Sequence, residues 1–249
     1  MSLFSKNKQV PRSRGRVDIF NIDYPLDRSR WLDVFSACAG RSIIVQEAFA
    51  ELIVQDRDWF VDFDAQTLSF GEDAYPVQFI GSESNISNTW MWGWNNINRF
   101  DENITGLANR VKELGEKWGL QALTTKQFGL NETFNAHSLA MVATGIAGGG
   151  KYCYYIGPHD NGAAVMAVPV SDERVFAPVD IAVFVNRVMR AIQQFDLDHR
   201  IFAESLLLWN GTPFERDGGR LVAYFAQQRL MMTLENAGGY DRITNIKTI

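Results

Sequence analysis

The chain has 249 residues, 46% hydrophobic and 21% charged, with a net charge of −5 at neutral pH. That profile belongs to a globular protein with an ample core and excludes a disordered chain. Met1–Arg16 carries five basic side chains and no acidic one, leaving the remaining body near −10 and unsuited to phosphate-driven nucleic-acid binding.

The basic start (residues 1–16) reads as a flexible, solvated tail rather than a nucleic-acid or membrane arm. It has no apolar signal-peptide core, and no run of eighteen apolar residues follows. A cytoplasmic protein without a membrane span is therefore expected. Cys38 and Cys153 have neither disulfide-framework nor metal-ligand spacing, so reduced thiols and no metal are expected.

From Ser29, a candidate N-cap, the residues Trp31, Phe35, Cys38, Ser42, Val45, Phe49 and Leu52 recur at three- and four-residue intervals. They predict a helix running to about Val54, with a bend allowed at Gly40. The period then changes to two. Trp59, Val61 and Phe63 alternate with polar neighbours, and strands at Thr67–Phe70, Val77–Ile80 and Ser87–Trp94 complete a predicted antiparallel meander.

Asp101 is placed to cap a helix kept in register by Ile104, Leu107, Val111 and Trp118 and ended by Gly119. Another helix is predicted over Glu132–Ile146, stopping in Gly148-Gly149-Gly150. Strands Tyr152–Ile156 and Ala163–Val168 flank a Pro158–Gly162 turn. Pro178 opens a helix with Ile181, Phe184, Val188 and Ile192 on its apolar face. Strands are then predicted at Ile201–Trp209, Leu221–Ala226, Arg229–Leu234 and Arg242–Ile246. The expected fold class is α+β, with antiparallel β-meanders packed against long amphipathic helices. It is read as one globular unit over residues 17–249, divisible into two similar halves at 29–120 and 132–249.

Trp90, Trp92 and Trp94 stand at alternate positions, which on a strand puts all three indoles on one face. Such a wall either packs into the core or forms a stacking platform for a ligand, with Asn95 just beyond it offering a polar group. The core reading carries more weight, because antiparallel sheets bury one face.

The stretch Trp90-Met91-Trp92-Gly93-Trp94-Asn95 resembles the W-x-W-G-W-x-N signature of an uncharacterised bacterial domain family. Tyr154-Tyr155-Ile156-Gly157-Pro158-His159-Asp160-Asn161-Gly162 resembles its second block, an aromatic strand followed by a Pro-x-Asp-x-Gly turn. The resemblance covers most of the chain after about Trp31 and implies a bacterial cytosolic protein. It brings no assigned catalytic residue with it.

Gly145–Tyr152 matches the phosphate-loop pattern G-x-x-x-x-G-K but ends in Tyr152 where Ser or Thr would hold magnesium. A helix precedes it and a strand follows, the reverse of the phosphate-loop context, so a helix cap is the expected role. Neither this loop nor any dinucleotide fingerprint supports a cofactor, and none is expected. Acid/base candidates are few. His159 with Asp160, Asp62 with Asp64, and Glu204 near Glu215 and Asp217 are the available groups, and turn or outward strand positions account for most of them.

Three functions follow. The first is a non-catalytic protein that binds an unidentified small ligand or a protein through an aromatic-lined sheet face or cleft, with Trp90, Trp92, Trp94, Asn95, Tyr154 and Trp209 as wall residues. The second is a hydrolase-type enzyme built from His159, Asp160, Asp62 and Glu204. The third is an acidic immunity or regulatory partner docking on a basic target.

Overall fold

A computed structural model describes residues 18–249 of the chain, so the basic start lies outside the described residues. Its centre is helix α1, Trp31–Phe49, which continues as a single wider π turn over Ala50–Val54. Every residue of α1 from Asp33 to Ser42 is buried. A helix buried all round must be covered by other elements. The cover comes from α4 (Ala136–Ala147), α5 (Ile181–Gln194), α6 (His199–Trp209) and strand β7 (Tyr152–His159). Gly40 lets α6 come close, since a Cβ there would lie 2.9 Å from Leu206 Cβ. Arg30 is the N-cap residue, and Ser29 instead donates its hydroxyl to Asp27, 2.7 Å away.

Three antiparallel sheets surround this centre. Strands β1 (Trp59–Asp62), β2 (Thr67–Phe70) and β3 (Asp73–Pro76) form the smallest. The largest has five strands in the order β6-β5-β4-β8-β7, built from β4 (Gln78–Ser84), β5 (Thr89–Trp92), β6 (Gln127–Gly129), β7 and β8 (Gly162–Pro169). In it β4 pairs with β8, Gly81 opposite Val165, so the stretches 29–120 and 132–249 share one sheet. The fourth-stranded meander β9 (Phe214–Asp217), β10 (Arg220–Tyr224), β11 (Arg229–Ala237) and β12 (Tyr240–Thr248) closes the chain.

The fold is α+β, with antiparallel meanders on long helices, as the periodicities indicate. Helix α2, Glu102–Trp118, starts where Asp101 accepts the Asn103 amide and ends at left-handed Gly119, φ 70°. A short helix α3, Gln121–Thr124, follows it. Among the described residues no helix is long and apolar enough to cross a membrane.

Four expectations are corrected. The predicted first meander is divided, with Trp59–Asp62 and Thr67–Phe70 in the three-stranded sheet and Gln78–Ser84 and Thr89–Trp92 in the five-stranded one. Pro178 lies before α5, which Asp180 caps by accepting the Val183 amide. Ile201–Trp209 is helical, not a strand. Asp198 caps α6 by accepting the Arg200 and Ile201 amides, and an apolar run enclosed on all sides shows no helical stripe to read. The predicted strand over Ser87–Trp94 stops at Trp92, because Gly93–Asn95 turns as a 3₁₀ helix that Asn96 ends in the left-handed region, φ 41°.

Candidate functional site

The expected tryptophan wall is divided by that turn. Trp90 and Trp92 share the inner face of β5 at 0% and 1% exposure, their rings edge-on with centroids 5.2 Å apart. Trp92 donates Nε1–H to the Ala122 carbonyl at 2.9 Å. Trp94 has left the strand and lies half-buried under the Lys112 ammonium, 5.1 Å from its ring centre. Asn95 shares its turn. Tyr154 is buried on β7, with its backbone clamped on both sides by the Gln46 side chain and its hydroxyl 3.1 Å from His137 Nδ1.

The acid/base candidates are each engaged locally. Glu204 is fully buried and held bidentately by Arg216, whose Nε donates at 2.7 Å. Asp62 accepts the Asp64 and Ala65 amides of its own turn. His159 accepts the Asn161 amide at 3.3 Å, beside exposed Asp160. No hydrogen bond or ion pair joins these three regions among the described residues. Nor do those residues include a group of three or more His, Cys, Asp or Glu arranged to hold a metal.

Trp209 leads to a different place. It lines a cleft of about 700 Å³ that is bordered by the ends of α2, α4 and α6 and by Arg41 of α1. Four cations line this cleft: Arg28, Arg41, Lys117 and Lys151. Among the described residues, Asp18 is the single acidic one in its lining. Phe20, Trp118, Phe176 and Trp209 supply aromatic wall. The Gly145–Lys151 run forms one rim, as a helix end with Gly149 and Gly150 at positive φ. Its role in the fold is the expected cap, and its glycines and lysine nevertheless reach the cleft.

Arg41 sets the electrostatics. It is 3% exposed, yet its Nε and Nη2 have no hydrogen-bond partner, and no carboxylate pairs with it among the described residues. Its guanidinium carbon lies 5.7 Å from the Phe176 ring centre. Burial pulls its pKa below the usual arginine range, and the titratable neighbours it senses are Cys153 and Cys38. Burial in turn pushes both thiols up to about 12, so at neutral pH they are uncharged and cannot balance it. A guanidinium stays protonated in proteins. The core therefore holds a positive charge without a counter-ion, an arrangement that costs several kcal/mol unless something compensates it.

Of the cleft residues, Trp209 and the glycine run stand out in the sequence as site candidates, and Arg41, Arg28, Lys117 and Trp118 do not. The available signal was Arg41 itself, a charge embedded in the longest buried stretch of α1.

Fold and site together define an α+β protein with a cationic, aromatic-walled cleft at the ends of three helices. The chain belongs to a family of unknown function, DUF6882, whose model matches residues 32–170. That span holds Arg41, Lys117, Trp118 and Lys151, while Phe20, Arg28, Phe176 and Trp209 complete the cleft from outside it. No curated protein and no solved structure matches the chain.

Proposed function

We propose that this protein is a non-catalytic binding protein that takes a small anionic ligand in the cleft around Arg41. The observation that carries the reading is the buried guanidinium without a counter-ion in the wall of that cleft. An anionic group brought to it completes the charge balance that the fold leaves open, and attraction in a low-dielectric site is far stronger than in water. Three exposed cations at the same cleft, Arg28, Lys117 and Lys151, raise the local potential toward anions.

Helix C-termini oppose this with about half a negative charge each. The three that meet here, together with Asp18, fall short of four full cations.

The test is calorimetric titration of the purified protein with inorganic pyrophosphate and with sulfate, at low and at physiological salt. Saturable binding that weakens with salt and is lost in Arg41→Met is expected. Absence of binding by either anion, or equal binding in Arg41→Met, would falsify the proposal.

A further inference from the structure

The cleft is larger than its cations alone require. At about 700 Å³ it lies within the range of about 300–1,000 Å³ typical of pockets that enclose whole organic ligands. A bare inorganic anion needs room comparable to a few waters, each about 30 Å³. An anion alone would leave most of the aromatic wall facing solvent.

That wall repeats one motif twice. Phe20 and Trp118 lie with centroids 5.7 Å apart and planes tilted by 53°, and the Arg28 guanidinium carbon stands 5.6 Å from each ring centre. Arg41 over Phe176 is the second pairing of a cation with a flat ring. The two differ in burial. Arg41 is enclosed, so its field is the least screened in the cleft. Arg28, exposed on a long flexible stem, stands over both rings and must swing aside to admit a base before closing on its other face. Arg41 thus suits a desolvated anionic group, and the Phe20 and Trp118 faces suit a flat conjugated ring held between aromatic and guanidinium surfaces.

Building on the anion-binding reading, we infer that the cleft takes a nucleoside phosphate, with its phosphate at Arg41 and its base against Phe20 and Trp118. The Gly145–Lys151 run does not act as a phosphate loop here, because a helix ends at it rather than begins. It contributes the Lys151 ammonium and, at Gly150, backbone with open space where a side chain would stand. Base stacking on an aromatic side chain is worth about fivefold to 150-fold in affinity. A nucleotide should therefore bind well above its own phosphate portion.

The experiment titrates the whole protein calorimetrically with ADP, inorganic pyrophosphate, adenosine and benzoate. ADP is expected to bind at least about tenfold more tightly than pyrophosphate, with adenosine and benzoate weaker than both. Trp118→Ala, with Phe20→Leu as a milder second variant, should remove most of the advantage of ADP over pyrophosphate. Far-ultraviolet circular dichroism confirms that each variant is folded. Equal affinity for ADP and pyrophosphate, unchanged in both variants, overturns the nucleoside assignment and leaves the anion-binding reading intact. Benzoate binding more tightly than ADP overturns the phosphate assignment alone. No binding by ADP or pyrophosphate overturns both readings.

Discussion

Gly145 on α4 lies against the thiol of Cys38 on α1, where a Cβ at position 145 would stand 2.6 Å from Cys38 Sγ and 3.0 Å from its Cβ. The first glycine of the phosphate-loop-like run is thus a packing residue between two helices. Cys38 is fully buried. Alanine would gain about 1 kcal/mol of helix propensity over glycine, but overpacking a dense core costs about 1–3 kcal/mol. Gly145→Ala should therefore lower stability by up to about 2 kcal/mol in urea unfolding. Adding Cys38→Ala should recover part of that loss, a non-additivity that two independent sites would not show.

Arg41→Met should move stability in the opposite direction. Most core substitutions destabilise, but this one removes a buried charge that no carboxylate balances. Replacing buried ionic groups with apolar side chains of similar volume is often neutral or stabilises by about 1–4 kcal/mol. The ligand-free variant should unfold at higher urea concentration than the parent. A loss of about 2 kcal/mol instead would show that the guanidinium is satisfied in the native protein.

The tryptophans should separate into two energetic classes. Trp92→Ala removes a fully buried indole and its hydrogen bond to Ala122, and should cost about 3–5 kcal/mol. Trp94→Ala, at a half-buried turn position, should cost about 1 kcal/mol. Gly81→Ala should resemble the first class, since its Cβ would lie 2.5 Å from Trp90 Cζ2 and 2.5 Å from the Met91 carbonyl oxygen. Similar thermal shifts for Trp92→Ala and Trp94→Ala would contradict this division.

His199 gives the fold a dependence on pH. Its Nδ1 accepts the Ile243 amide at 2.9 Å and its Nε2 faces the Arg242 guanidinium at 3.5 Å. Burial first, and then Arg242, lowers its pKa to about 4, against about 6.5 for an unfolded histidine. Between those values the unfolded chain binds the proton more readily, so this contribution is complete above pH 6.5 and is lost as pH falls toward 4. Asp198, with its carboxyl pKa raised by burial, contributes in the opposite sense. Urea midpoints at pH 7, 6 and 5 should therefore be compared with those of His199→Gln, in which the histidine contribution to the slope disappears. Parallel curves for the two proteins would rule His199 out.

The elements legible in the sequence are those with one wet face and a marked end. Helix α2 announces itself through Asp101, its apolar spacing and Gly119, and α5 through its apolar stripe, although the structure caps it with Asp180, which accepts the Val183 amide, and leaves Pro178 outside it. Helix α6 lacks such a stripe because α1 and the final meander enclose it. The indoles of Trp90 and Trp92 were correctly placed on one face, but the exit of Trp94 depends on Gly93 turning against β4, where its Cβ would strike the Phe79 carbonyl at 2.5 Å. The cleft was the least legible feature. Phe20, Arg41, Trp118, Lys151 and Trp209 come from five separate stretches, and no spacing along a chain encodes their convergence.

The pairing of β4 with β8 also bears on the birth of the molecule. β4 lies in the middle of the five-stranded sheet, yet its partner begins roughly 80 residues later, at Gly162. At about 5–20 residues per second of synthesis, β4 waits on the order of 4–16 s with one hydrogen-bonding edge open. During that interval the nascent chain presents an unpaired strand edge beside its most hydrophobic indoles, the exposure that invites pairing between neighbouring chains. In the folded protein β8 covers this edge, so its hazard belongs to the ribosome and to any product truncated before β8.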